Sequence, residues 1–449
     1  MVRSLYSANM ETIRGYRYRL KPTAEQDARL AQTCGVVRLV YNLALDQRRW
    51  FGGRRFTGGS RNFAYQGLSR ELSDLRKGFD WIGAVSQTAQ IQALMDLDKA
   101  FANFFAGRAK FPTPRRKFLN DAFRHVGREI EVRKLNRTWS EVKIPKIGWV
   151  RYRNSRDLAR RADGSVDIRN ATISRLPAGG WEISIAIRCE IADRPVPATA
   201  VGVDRGVAVP FALSTGEMVL LPSKMKGLSA SMRRAQKAMA RRKRGSARYA
   251  RARRRYAALK SKAARCRAHV AHVLSRRLVA QHGLVAIEDL KIRSMTRSAR
   301  GTIEAPGRNV RQKAGLNREI LNVGWYAFEQ MLAYKLEETG GMLVKVPAAY
   351  TSQTCSSCGH VDADSRESQA TFCCTACGAT ANADINAARN ILDRALLGEG
   401  TQRRGSTPSL DVEGKALAPD EASTHLAANG LNARAAANGN PRPSGRGRC

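Results

Sequence analysis

The chain has 449 residues, 43% of them hydrophobic, which is enough for a real core and for two or three domains and excludes a small peptide-like binder. Its 78 Lys and Arg against 38 Asp and Glu leave a formal charge of +40, far beyond what solubility requires, so the surface calls for a polyanion. With no apolar run of transmembrane length and no cleavable leader pattern, an anionic membrane gives way to nucleic acid as the expected partner. Met10 offers an alternative start in METIRGYRYRL, which makes the first nine residues an upstream extension. From Glu25 to Trp50, and again from Val85 to Phe105, apolar residues recur at helical spacing, so the first quarter reads as largely helical. Alternation then takes over in VKIPKIGWVRYR, in ATISRL, and after PAGG in WEISIAIRCE, which predicts strands and a hairpin. Together these segments predict a small β-barrel-like unit interrupted by a helical insertion.

The Pro-containing connector IADRPVPATA, residues 191–200, hands over to a second domain starting near Thr199, where AVGVDRGVAVPFALSTGEMV reads as two antiparallel strands. Between Glu217 and Glu288 there is no acidic residue, while Arg and Lys recur throughout residues 233–277. Tyr249, Ala252, Tyr256, Leu259, Ala263, Cys266, Val270 and Val273 follow a three-four repeat, so one face of a long helix can pack while the rest presents cations. Gly245 and Ser246 are expected to break it into a helical hairpin over residues 229–280. Most charge runs are only solvated faces. Here the missing acids leave self-repulsion uncompensated unless phosphates supply the counter-charge, and Arg241, Arg242, Lys243, Arg244, Arg253, Arg254 and Arg255 are the expected backbone contacts.

Nine cysteines, an odd number with four in two close pairs, argue against a disulfide framework and for a reducing, cytoplasmic compartment. Cys355 and Cys358, then fifteen residues, then Cys374 and Cys377 can place four thiolates around one Zn²⁺. Gly359 and Gly378 follow the pairs and let the chain turn beneath the metal. Cys373 leaves a register ambiguity, but its pairing with Cys377 would break the match to the first knuckle. A redox role would need one reactive pair and not two matched ones, so the expected zinc is structural.

Three carboxylates stand at element ends. Asp204 closes the strand AVGVD, Glu288 closes GLVAIE, and Asp384 opens the helix ADINAARNIL, of which Ile385, Ala388, Ile391 and Leu392 make one face. Singly, such an aspartate is more often a turn former or an N-cap. As a trio in a ribonuclease H-like fold they would lie side by side, and their repulsion makes sense only around divalent cations, with hard oxygen ligands favouring Mg²⁺ or Mn²⁺. Two such ions activate water and stabilise the leaving oxygen in phosphodiester hydrolysis. His282 and His360 read as packed or surface histidines.

With these blocks in hand, the chain resembles the TnpB family of transposon-encoded nucleases, relatives of type V CRISPR effectors, from about Met10 to Leu397. YRYRLKPTAEQDARL, LDKAFANFF, VGVDRGVAVPFALSTGE, SRRLVAQHGLVAIEDL, NVGWYAFEQMLAYKLEETGG, YTSQTCSSCGHV and ANADINAARNIL carry the likeness in the family's order. The resemblance implies an α+β multidomain fold. It places a β-barrel wedge domain over residues 10–198 with a helical recognition insertion at about 22–120, and a RuvC-like nuclease domain over 199–397 with a zinc ribbon at 351–383. Residues 398–449, rich in Gly, Ala, Asn, Pro and Ser, are expected to be a disordered tail. The resemblance also implies that Asp204, Glu288 and Asp384 are catalytic Mg²⁺ ligands, that the four cysteines hold zinc, and that the partners are a transposon-derived guide RNA and double-stranded target DNA. For the short target-adjacent motif, Tyr65 aligns with a family tyrosine, and the amides of Gln87, Gln90 or Gln92 are candidates for base edges. Three other classes stay open on sequence alone: a nuclease-independent RNA-guided DNA-binding regulator, a guide-free resolvase or transposase, and a zinc-ribbon scaffold with no reaction.

Overall fold

The computed structural model describes residues 11–51, 65–161, 163–190, 195–368, 370–398 and 401–403. Tyr16, Tyr18 and Leu20 alternate with Arg17 and Arg19, which makes a one-sided strand, β1 (Glu11–Lys21), with the three apolar side chains buried. Thr23 and Gln26 then start a helix by a reciprocal cap. The Thr23 hydroxyl accepts from the Gln26 amide at 3.3 Å, and Gln26 Oε1 accepts from the Thr23 amide at 3.1 Å. The helix is α1 (Ala24–Phe51), which buries Leu30, Cys34, Val37, Tyr41 and Leu45 along one stripe. After α2 (Tyr65–Gly78) and the short α3 (Asp80–Gly83), α4 (Gln87–Phe105) packs on α1 through Ala93, Leu94, Leu97 and Phe101.

The chain returns to sheet in β2 (Ala122–Val126), β3 (Glu131–Lys134), β4 (Trp139–Ile144), β5 (Gly148–Arg153), β6 (Ile168–Arg175) and β7 (Trp181–Glu190). All pairings are antiparallel, in the order β2-β6-β7-β1-β5-β4-β3. Among the described residues no ladder joins β2 to β3, so hydrogen bonds do not close a barrel. The sheet is nevertheless curled. Seven strands laid flat would hold their edges about 29 Å apart, whereas β2 and β3 are joined only by residues 127–130, a reach of at most about 18 Å. The barrel-like unit is thus a curled sheet with an unpaired seam, and helices α1–α4 share its core.

A second sheet takes β8 (Ala200–Asp204), β9 (Phe211–Leu213), β10 (Met218–Val219), β11 (Leu284–Glu288) and β12 (Met342–Val346) in the order β10-β9-β8-β11-β12. β8, β9 and β10 are antiparallel neighbours, while β8, β11 and β12 run parallel. Between β10 and β11 come α5 (Lys224–Ala240) and α6 (Ala247–Gln281); between β11 and β12 come α7 (Ile292–Met295), α8 (Val310–Val323) and α9 (Trp325–Thr339). A small two-stranded piece, β13 (Thr371–Cys373) with β14 (Thr380–Asn382), precedes α10 (Ala383–Leu396).

The alternation of these buried strands assigns their two faces. Val201, Val203, Val285, Ile287 and Leu343 pack with Leu274 and Leu278 of α6 and with Phe328 and Leu332 of α9. Ala286, Val344 and Val346 pack on the other face with Ile391 and Ala395 of α10. Gly202 shares that face, and a Cβ there would lie 2.1 Å from the carbonyl oxygen of Ala388, so the backbone of α10 rests directly on β8.

Two expectations need correction. The hairpin of α5 and α6 turns at Gly245 and Ser246, whose hydroxyl caps Tyr249, but its packing stripe does not run on to Val273. Val273 is exposed, and Ala271, Leu274 and Leu278 are buried instead. A straight helix drifts about 20° per heptad against a 3.5-residue repeat, about 70° between Tyr249 and Val273, which brings the next residue inward. The tail, secondly, does not begin at residue 398: β15 (Thr401–Arg403) pairs antiparallel with β12 through Leu343, Val344 and Lys345. The remaining tail expectation, residues 404–449 with Cys449, lies outside the described residues. No described helix is long and apolar enough to cross a membrane.

Candidate functional site

The end of the second sheet gathers the three acids. Val203 pairs with Ile287 in the parallel ladder, so the next residues, Asp204 and Glu288, finish neighbouring strands about 5 Å apart. Both follow inward residues of the α6 and α9 face, so both point to the α10 side, where Asp384 stands in the first turn of that helix. Asn382 caps the turn, its Oδ1 accepting from the amides of Asp384 at 3.0 Å and Ile385 at 3.3 Å. The cap role that a helix-opening aspartate often fills is thus taken by Asn382, leaving the Asp384 carboxylate to Arg366, 3.7 Å away.

Electrostatics show that the carboxylates share one environment. Burial first, then the charges of Glu288 and Asp384, push Asp204 up to about 7. Burial also raises Glu288, opposed by the Thr351 hydroxyl and by Arg205 and Arg394, and it raises Asp384 against the pull of Arg366. Among the described residues only the four thiols bring their ligand atoms all within 4.8 Å of one another, so the acids stand wider apart than a ready-made cation site; a hard divalent cation bound between them would reverse those shifts.

The opposite face of the same strand ends carries a network that the sequence reading missed. Arg205, 3% exposed, donates to the backbone carbonyl of Glu288 and lies 3.3 Å from Glu329 of α9, while Lys345 of β12 pairs with the other Glu329 oxygen. The arginine, one residue beyond Asp204, thereby ties the end of β8 to the backbone of Glu288 at the end of β11. Thr351, 2% exposed, donates to Glu288 Oε1 at 2.7 Å. Arg205 follows Asp204 directly and Thr351 is the second residue of YTSQTC, yet only tertiary contact gives them meaning.

The four thiols meet as expected. Cys355, Cys358, Cys374 and Cys377 place their Sγ atoms within 4.8 Å of one another, with Cys355–Cys377 at 3.8 Å and Cys358–Cys374 at 3.6 Å. A tetrahedron of ~2.3 Å metal–sulfur bonds has edges of about 3.8 Å, so the set fits Zn²⁺. Each knuckle repeats one turn: Gly359 donates to Cys355 O and Gly378 to Cys374 O, both at 2.9 Å, with φ of +77° and +71° that favour glycine. Amide hydrogen bonds, led by that of Cys377, hold the Cys374 thiol down at about 6, which favours the thiolate a metal needs. Cys373 stays outside this set, pairing with Thr380 in the β13–β14 ladder.

Arg241, Arg242, Lys243, Arg244, Arg253, Arg254 and Arg255 are exposed around the α5–α6 turn. Arg234, Arg242, Arg248, Arg251 and Arg255 line a groove of about 500 Å³ between the two helices. Of the motif-reading candidates, Tyr65 begins α2 half-buried against the first core, and Gln87 is exposed at the start of α4. Gln92 is half-buried, with its amide 3.3 Å from Met95 Sδ. Gln90 is corrected: it is fully buried, and its amide donates to Ile82 O at 2.9 Å and Val85 O at 3.3 Å, bracing the turn before α4 beyond reach of a base. His282 is half-buried and contacts Thr199 Oγ1 at 3.0 Å.

Family profiles match residues 325–391 as a Cas12f1-like TNB domain, 184–299 as a "Probable transposase" and 10–53 as a helix-turn-helix domain. In the structure the described part of the last segment is β1 followed by the single long helix α1. The chain is 36% identical over 387 residues to "Putative RNA-guided DNA endonuclease InsQ" of Escherichia coli K12, covering 85% of this chain and 92% of that one. It is 34% identical to a "Putative RNA-guided DNA endonuclease" of Streptomyces pristinaespiralis, covering 85% and 89%. The fold is similar to that of Cas12f1 in a solved complex with sgRNA and target DNA, at TM-score 0.53 and 16% identity over 82% of each chain.

Proposed function

The chain belongs to the TnpB family, and on that premise we propose that it is an RNA-guided DNA endonuclease whose single RuvC-type pocket, formed by Asp204, Glu288 and Asp384, hydrolyses phosphodiesters with Mg²⁺ or Mn²⁺. The observation that carries this reading is the meeting of three carboxylates, Glu288 buried and Asp204 and Asp384 partly buried, at two parallel strand ends and a helix start, where burial and the charges of the other two raise Asp204. Bound there, two such ions would polarise the scissile phosphate and activate the attacking water. The protein's own part is to hold the oxygens. β8 and β11 fix Asp204 and Glu288 at strand spacing, Arg205 ties the strand ends, Thr351 orients Glu288, and Asn382 frees Asp384 from capping.

In this reading residues 10–198 form a wedge with a recognition insertion at about 22–120, residues 199–397 form the RuvC-like domain, and the ribbon at 351–383 holds one structural Zn²⁺. The four thiols suit a reducing cytoplasm, with the protein associated with the nucleoid. Base pairing by a transposon-derived guide RNA selects the double-stranded target, and the basic surface grips backbones without reading sequence. Tyr65, Gln87 and Gln92 remain candidates for the adjacent motif.

The RNA that copurifies is sequenced, and the complex is offered labelled duplexes that carry its complement. Metal-dependent cutting is expected, the displaced strand before the paired one, and Asp204→Ala should abolish it while binding persists. An Asp204→Ala complex that cuts as the parent does would overturn the reading, as would a chain that carries no discrete RNA.

A further inference from the structure

Both elements that hold Glu288 and Asp384 take their polar partners from one stretch of chain, residues 347–356, which leads into the first thiol knuckle. The Thr351 hydroxyl occupies one lone pair of Glu288 Oε1 at 2.7 Å and leaves Oε2 for another ligand. Asn386 and Asn390, four residues apart on one face of α10, are 1% and 5% exposed. Their amides converge on the residues flanking Cys355. Asn390 Nδ2 donates to Thr351 O at 2.9 Å and to Thr354 O at 2.6 Å, while Asn386 Nδ2 donates to Thr354 O at 2.7 Å. Asn386 Oδ1 in turn accepts from the Ser356 amide at 2.9 Å. At the far end of the helix Arg394 donates to Pro347 O at 3.1 Å and Ala349 O at 2.6 Å.

Two buried carboxamides are costly unless every partner is in place, and those partners are backbone groups held in position by the knuckle. The polar stripe of α10 can therefore stay buried only while the knuckle keeps its turn. Asp384 is two residues ahead of Asn386 in the same helix, so a shift of the knuckle is transmitted to it as a shift of a rigid element.

We propose that residues 351–356, together with Asn386 and Asn390, form a splint through which the zinc-loaded knuckle sets the mutual position of Glu288 and Asp384. Thr351, Asn386 and Asn390 are positioning residues, and the state of the thiol site controls the affinity of the acidic pocket for its cation. This rests on the reading that the acids hold a divalent ion.

The test uses the full chain with Mn²⁺ as probe, the free aquated ion being read by its paramagnetic resonance signal, with zinc content and far-ultraviolet dichroism measured on the same samples. Outer partners of metal ligands typically contribute 10–100-fold. Thr351→Val is accordingly expected to weaken Mn²⁺ binding about tenfold while zinc and dichroism stay at parental values, and Thr351→Ser should restore it. Parent protein stripped of zinc and dialysed free of chelator should show a comparable loss, reversed when zinc is returned. Parental Mn²⁺ affinity in Thr351→Val, or in zinc-stripped chain of unchanged dichroism, overturns the splint. Should Glu288→Gln and Asp384→Asn also leave Mn²⁺ binding unchanged, the acidic pocket is not the cation site, and the reading beneath the splint fails with it.

Discussion

Asp204 is held where its charge is opposed, with burial and two neighbouring carboxylates raising it to about 7. A carboxyl whose folded value exceeds its unfolded one, about 3.9, binds its proton more tightly in the native state. Its contribution to the stability of metal-free protein is therefore fully present below the unfolded value and is lost as pH rises through about 7. With a shift of about three units, the loss is on the order of 4 kcal/mol at most. Metal-free protein should accordingly melt at lower temperature at pH 8 than at pH 5. Asp204→Asn should flatten that dependence and raise the melting temperature above the parent's at pH 8, and Mg²⁺ should do the same for the parent without mutation. A slope unchanged in Asp204→Asn would mean that the pocket carries no such penalty.

At the scale of elements, the contact of α10 with β8 decides whether Asp384 reaches the two strand acids. That contact is closed by the absence of one side chain, since a Cβ at Gly202 would lie 2.1 Å from Ala388 O and 2.9 Å from Leu392 N, both backbone atoms that cannot rotate away. Gly202→Ala should destabilise the protein by about 1–3 kcal/mol through overpacking. Cleavage should fall even at temperatures where the variant stays folded, because the helix carrying Asp384 must move off the sheet. Thermal melting and cleavage on one preparation check both parts. The acids and thiols were legible beforehand because each is tied to a local signal: a strand end, a helix start, or a Cys-x-x-Cys repeat with its glycine. Arg205, Thr351, Glu329 and the Asn386–Asn390 pair were not, because each acquires its role from a partner far along the chain. The asparagines on an otherwise small and apolar face of α10 were the one visible hint. The basic hairpin was read in its turn and misread in its register, since a 3.5-residue repeat fits locally and drifts over a long helix.

At the scale of the whole molecule, two opposing consequences follow from +40 net charge. Within the chain the cations that lack nearby acids repel one another, most of all along α5 and α6, where no Asp or Glu occurs between Glu217 and Glu288 and the Glu217 carboxylate meets Arg277 at 2.7 Å. Against a polyanion the same charges are the source of affinity. Salt screens both interactions, with a Debye length of about 10 Å at 0.1 M, and so acts with opposite sign on the two states. Protein freed of nucleic acid should gain thermal stability as ionic strength rises, whereas its complex with RNA should weaken, log affinity falling linearly with log salt. Replacing Arg242 or Arg248, which line the groove between the helices, should lower that slope by about 1 for each phosphate that is no longer neutralised. The same replacements should raise the stability of the free protein at low salt, because each removes a repulsive partner. A free protein destabilised by salt would place the excess charge in compensated pairs, and a slope unaltered by either substitution would move the nucleic-acid path away from the hairpin.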